Sequence, residues 1–244
     1  MKKFRTPALV LLLALAACQK SNDTVSTPVT NAEVADMVAS SLSANSSGLI
    51  MSTADITVNA QSVFDLNIGC GNTKNFTATH TSPANANISY SDTFSYGYTL
   101  NCNANNQPDN ITGTASEKGT FDGPRSSATN TGTATFRVAG LTPAATVYVI
   151  NGEFKRVGTF ASKVESKNTS TTTVTLAITN LTINKSTKVV TSGSATVTVN
   201  GTTTKNAAIN FTGNATFTGD GKATITLNGT VYIVDLLTGD FTKK

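Results

Sequence analysis

From about Asp55 onward, apolar and polar side chains alternate with a period of two, the spacing of a strand that turns one face to a core and the other to water. Val63, Leu66 and Ile68 open the pattern, Tyr96, Tyr98 and Leu100 continue it, and Val174, Leu176 and Ile178 carry it with Thr between. It is cleanest in the last third, at Val197 and Val199, Ile209 and Phe211, and Ile225 and Leu227. One-sided burial belongs to antiparallel sheets, because parallel strands are usually covered on both faces. The punctuation says how the strands connect. Asn151-Gly152, Asn200-Gly201 and Asn228-Gly229 read as type I′ hairpin turns, and Gly219-Asp220-Gly221 and Leu237-Thr238-Gly239-Asp240 add two further breaks. Short local connections make a meander. Roughly ten to twelve strands are expected, and a sheet that long curls, splits or closes. The expected fold is therefore mainly β: a long antiparallel meander forming a curved sheet, half-barrel or barrel.

Two details refine this picture. The alternation slips by one residue between Ile178 and Leu181, where a bulge or bend would restore the inward face. Val231 to Val234 is apolar on both faces, which places that strand inside the sheet or beneath a helix. A helix is expected at about 31–43. Asn31 reads as its N-cap, Val34, Met37, Val38 and Leu42 recur at helical spacing, and Ser46, Ser47 and Gly48 stop the pattern. Its single apolar stripe needs a partner, so it should lie against the sheet or plug one end.

Thr is the commonest residue, with 44 in the chain, while charged residues make up 13% and Trp is absent. This is the profile of a strand-rich exported protein, since Thr suits a pleated surface and meets water without a charge. The formal charge of +4 raises the question of nucleic acid, which would require Lys and Arg gathered on one face. Instead Lys163, Lys167, Lys185, Lys188 and Lys205 are scattered among Thr, Ser and Asn. No nucleic-acid partner is expected.

Catalytic and metal chemistry find little material. Hydrolysis needs a base beside a nucleophile or two carboxylates at a set separation. The chain offers a single His, His80, in an alternating segment where an exposed histidine is the simplest expectation, and no Gly-x-Ser-x-Gly turn. No catalytic residue, cofactor or metal is assigned. Tyr90, Phe94, Tyr96 and Tyr98 are the nearest approach to a ligand platform, although core packing explains them as well. Thr-x-Thr arrays such as Thr196-Val197-Thr198 and Thr224-Ile225-Thr226 are similar to those of ice-binding solenoids, but their spacing along the chain varies, so aligned ranks are not expected.

The N-terminus carries the most specific motif. Lys2, Lys3 and Arg5 precede an apolar run from Ala8 to Ala17 that is too short to span a bilayer core, and Leu15-Ala16-Ala17-Cys18 closes it. That run resembles a bacterial lipobox. The resemblance implies a signal peptide over 1–17, cleavage before Cys18, and diacylation of the Cys18 thiol. With the tether at 18–30, the Thr/Asn-rich hairpins and the stretch from Phe211 to Phe241, the chain resembles β-rich envelope lipoproteins of Bacteroidota. This implies an outer-membrane address and contact with the membrane through the lipid on Cys18, and it supplies no catalytic residues. Asp23-Thr24-Val25 also fits the Asp-Ser/Thr-apolar pattern of O-glycosylation in that phylum. Loss of residues 1–17 would lower the formal charge to about +1.

With Cys18 lipidated, Cys70 and Cys102 remain, and two thiols in an oxidising compartment form one bridge. Such a bridge contributes roughly 3–4 kcal/mol in the chain-entropy model. A metal site built on these cysteines and His80 would lack the usual CxxC spacing. Residues 31–244 read as one β-rich domain. Its expected role is non-enzymatic, in binding or surface structure. The alternative is a carrier enclosing an apolar ligand such as a lipid inside the curled sheet, with the helix as lid. A hydrolase comes third, and would require His80 to converge with an acid and a nucleophile.

Overall fold

The computed structural model describes residues 28–244. The lipobox, Cys18 and most of the tether lie outside the described residues. Eleven antiparallel strands form one sheet in sequence order: β1 (Thr73–Thr81), β2 (Ser89–Cys102), β3 (Pro108–Asp122), β4 (Ser126–Ala139), β5 (Val147–Ser162), β6 (Thr169–Asn184), β7 (Val190–Thr203), β8 (Ala208–Phe217), β9 (Lys222–Leu227), β10 (Thr230–Asp235) and β11 (Phe241–Lys243). This is the meander that alternation and turn chemistry require. The sheet does not close, because β1 bonds only to β2 and β11 only to β10. It curls around two helices, α1 (Asn31–Leu42) and α2 (Leu49–Leu66), joined through a 3₁₀ turn at Ala44–Ser46. Since every connection is a hairpin, turns after odd-numbered strands lie at one rim, the first, and turns after even-numbered strands at the other, the second.

α1 fills the concave side. Thr30, one residue before the expected cap, is its N-cap: the Thr30 hydroxyl accepts from Glu33 N–H and the Glu33 carboxylate accepts from Thr30 N–H, each at 3.1 Å. Asn31 donates instead to the Thr230 hydroxyl at 2.8 Å. Glu33 also accepts from the Asn168 backbone and side chain, and Asp36 accepts from Arg125 at 2.7 and 3.1 Å. All three partners belong to first-rim turns or their edges. Beyond its C-terminus, Ala44 and Asn45 N–H groups donate to the carbonyls of Leu236 and Leu237 on the second rim. Every residue from Glu33 to Leu42 is buried. The helix therefore plugs the sheet from rim to rim, and the interior retains only small cavities of about 40 and 20 Å³. An enclosed apolar chamber beneath a helical lid is not present among the described residues.

α2 corrects the reading of strand from Asp55. Its buried face is Leu49, Ser52, Thr53, Ile56, Thr57, Ala60 and Val63, a helical stripe in which three members are hydroxyl residues. Thr53 and Thr57 donate to the carbonyls of Ile50 and Thr53 at 2.8 and 3.0 Å, which lets these hydroxyls sit in the interface without a foreign partner. This face packs on β1–β3, whereas α1 meets β5–β7 and β9–β11.

Two of the three Asn-Gly dipeptides are also corrected. Asn228-Gly229 does turn, with φ of 45° and 79°. Asn200-Gly201 lies within β7, bonded to β6 and β8. Asn151-Gly152 sits at a bulge in β5, where Asn151 Oδ1 accepts from Asn180 N–H at 2.9 Å. Long-range pairing outweighs the local turn preference at both. Asn180 itself, at φ 50°, marks the bulge expected between Ile178 and Leu181.

The named Thr arrays do not form a common rank, since Asn214 stands between Thr196 and Thr226, but one rank elsewhere does align. Register places Ser91, Thr120, Thr129, Thr159, Thr171 and Thr202 opposite one another, all exposed on the convex face. Pairing sets the register in a meander, and loops absorb the variable spacing. The rank follows the curl of the sheet and is not flat.

Candidate functional site

The concave face divides into a polar band and an apolar remainder. His80, Asp92, Glu117, Asn130 and Arg156 run diagonally across β1–β5, facing inward. Their room comes from glycines opposite: a Cβ on Gly119 would lie 1.7 Å from Asp92 Oδ1, and one on Gly132 2.5 Å from Glu117 Cγ. Arg156 Nε donates to Glu117 Oε1 at 2.8 Å, and its Nη atoms donate to the carbonyls of Ser40 at 3.0 Å and Ser47 at 2.5 Å. The sheet thus places a cation at the negative end of α1 and pins the turn that follows it. Asp92 Oδ2, Glu117 Oε2, Ser47 Oγ and Ser52 Oγ are buried without a hydrogen-bond partner. Burial pushes the Asp92 carboxyl up to about 6 against the opposing pull of Arg156.

His80 is not isolated at the surface. Its Nε2 lies 2.8 Å from Asp55 Oδ2 on α2, and Tyr96 donates its hydroxyl to the same oxygen at 2.9 Å. An acid and a histidine have converged, but no Ser, Thr or Cys side chain hydrogen-bonds to His80 among the described residues. His80 lines none of the larger cavities. Phe94, Tyr96 and Tyr98 are buried beneath α2, Phe94 stacked on Tyr96 at 5.8 Å and Tyr98 against Phe136 at 5.3 Å; Tyr90 is half-buried. Phe94, Tyr96 and Tyr98 form core with no face free for a ligand, and Tyr90 packs at its edge. Cys70 and Cys102 are joined as expected, tying the α2–β1 connection to the end of β2.

The apolar surface lies elsewhere, along α2 at the second rim. Four large apolar side chains stand exposed among the described residues: Val58 (56%), Leu66 (56%), Val189 (43%) and Leu237 (61%). All four line two adjoining cavities of about 450 and 490 Å³ between α2 and the rim. In the first, Ile50, Met51 and Ala54 on α2 face Ile183, Val189, Val190, Leu236 and Leu237. The second continues past Val58, Gln61 and Leu66 toward Tyr148, and Lys188 borders both. Lys185 and Lys188 hold their ammonium groups 5.0 and 4.9 Å from the Tyr148 ring. Burial lowers the Lys185 pKa, with Lys188 adding to the effect. The sequence carried a signal for this groove that alternation alone does not decode. Val189-Val190 and Leu236-Leu237 are adjacent apolar pairs beside turns, so the pleat can bury only one of each; Val190 and Leu236 are the buried members.

No protein-family model, no curated protein and no solved structure matches this chain.

Proposed function

We propose that this chain is an envelope lipoprotein, held at a membrane by lipid on Cys18, whose β-domain binds an apolar ligand in the second-rim groove without transforming it. The observation that carries this reading is the convergence of the four exposed large apolar side chains on two neighbouring hollows that meet at Lys188, the second more open than the first. Isolated surface apolar residues need no explanation, whereas a concave cluster of this size is a binding feature. The groove replaces the enclosed chamber of the carrier expectation, since α1 occupies the space such a chamber would need.

The test uses the full chain carrying Cys18→Ser and the neutral dye N-phenyl-1-naphthylamine, whose emission rises in apolar surroundings. Saturable enhancement that is abolished by Val58→Asp with Leu237→Asp supports the reading. Equal enhancement in the double variant refutes it. The anchoring half is tested separately: Cys18→Ser, with residues 1–17 removed, moves the protein from the membrane fraction to the soluble fraction, and retention of that processed variant in the membrane would contradict lipid attachment at Cys18.

A further inference from the structure

We infer that β1 pairs with β1 of a second copy of this chain, joining two sheets into one across a two-fold axis at Thr77. The two edges of the sheet are finished differently. An open edge is a template for another strand, and folded chains blunt theirs with shortness, lysines, proline or a bulge. β11 is blunted in two of these ways: it has three residues, Phe241–Lys243, and Lys243 and Lys244 close it. β1 is left open. It runs nine residues, Thr73–Thr81, without proline and in unbroken register with β2. Its convex side is Thr73, Asn75, Thr77, Thr79 and Thr81, all exposed and uncharged.

The hydrogen bonds at the two ends of β1 identify its free groups. Leu100 N–H donates to the Asn72 carbonyl at 3.1 Å, and Ser82 N–H to the Tyr90 carbonyl at 2.9 Å. Bonded and non-bonded pairs alternate along an antiparallel ladder. Lys74, Phe76, Ala78 and His80 therefore bond to β2, and the odd-numbered residues turn N–H and C=O outward. No other element bonds to these outward groups among the described residues. An antiparallel partner must meet odd positions with odd positions, and the register centred on Thr77 does so over the whole strand: Thr73 with Thr81, Asn75 with Thr79, and Thr77 with its own copy. Such pairing is isologous and closes at two copies. Pairing β1 to β11 would engage only three residues and would not close.

The concave side supports the same register, which sets Phe76 opposite Ala78. Both are half-buried at the margin of a core in which their β2 neighbours Phe94, Tyr96 and Tyr98 are fully buried. Pairing covers apolar surface that the edge leaves wet. The remaining inward residue pair is Lys74 and His80 of the other copy, where Asp55 Oδ2 lies 2.8 Å from His80 Nε2, so the ammonium group arrives beside a carboxylate.

The chain carrying Cys18→Ser, with residues 1–17 removed, is followed by sedimentation velocity from about 1 to 100 µM, the range suited to a small, transient interface. A monomer–dimer equilibrium is expected. Thr77→Pro removes an outward N–H and leaves the β1–β2 ladder intact; it should weaken dimerisation about tenfold or more. Thr77→Lys and Thr77→Asp should each do the same, because each sets like charges opposite one another at the axis. Mixing these two variants should restore the dimer, which separates lost pairing from lost folding. Thr216→Lys, an exposed convex position on β8, should dimerise as the parent does. A chain that stays monomeric throughout would overturn the pairing and leave the edge to an extended segment of another protein. A dimer that keeps its affinity in Thr77→Lys, a mixture that stays monomeric, or assembly beyond two copies would overturn it as well.

Discussion

The two halves of the sheet hold their helices by different physics. Across β1–β5 the concave face carries Asp92, Glu117, Asn130 and Arg156, and α1 and α2 are positioned by directional bonds from Arg156 and from Tyr96 to Asp55. Across β6–β10 the same face is Val174, Leu176, Ile178, Val197, Val199, Ile209, Ile225 and Leu227, nearly all within a few per cent of full burial. The aliphatic half supplies free energy in proportion to area, and its directional bonds to α1 and the turn after it come only from its rims, at Asn168, Thr230, Leu236 and Leu237. The polar half fixes where the helices sit, because a displaced partner would strand a buried charge.

The largest expected effect comes from breaking the polar half. Arg156→Ala leaves Glu117 buried without its cation and should cost about 3–5 kcal/mol in urea unfolding, whereas Arg156→Met with Glu117→Leu should recover most of that. Full recovery of stability together with unchanged groove binding would show that the ion pair is dispensable for helix placement. Leu176→Ala in the aliphatic half should cost about 3 kcal/mol by cavity formation, and the loss should be the same at pH 5 and pH 8. Asp92 gives the opposite behaviour. Its folded pKa, about 6, exceeds the ordinary 3.8, so the folded state binds the proton more tightly and stability falls as pH rises from about 4 to 6. Asp92→Asn should therefore gain roughly 2–3 kcal/mol above pH 7, shrinking to little below pH 4; a pH-independent difference would refute the assignment. The smallest effect is expected outside both halves, where Val58→Asp should change stability by less than about 0.5 kcal/mol while weakening dye binding.

The contrast also explains what could be read from the residues in order. Where the inward positions are Val, Ile and Leu, as at Val197, Val199, Ile225 and Leu227, alternation points straight to strand and face. Where they are Asp92, Glu117 and Arg156, the same pleat puts charge inside, and only the glycines across from them, Gly119 and Gly132, hint at the room required. α2 is hidden from apolar periodicity for a related reason: Ser52, Thr53 and Thr57 occupy its buried stripe, and the two threonine hydroxyls are satisfied by the helix's own carbonyls. Asn151-Gly152 and Asn200-Gly201 have turn chemistry, yet neighbours on both sides hold them in strands. The groove depends on which member of two apolar pairs faces outward, a matter of register that local pattern does not determine. His80 finding Asp55 is likewise a long-range event across the α2–β1 connection.

Helix α1 starts at the first rim and the groove opens at the second. With lipid on Cys18, ten residues before Pro28, about 35 Å of extended chain would tie the domain to its bilayer by the rim farthest from the groove. The anchoring membrane would then be the surface this site faces least. Cargo would enter and leave from the opposite side, handed across the intervening space by a soluble donor or a facing membrane, and the rim that carries the anchor would serve as the handle.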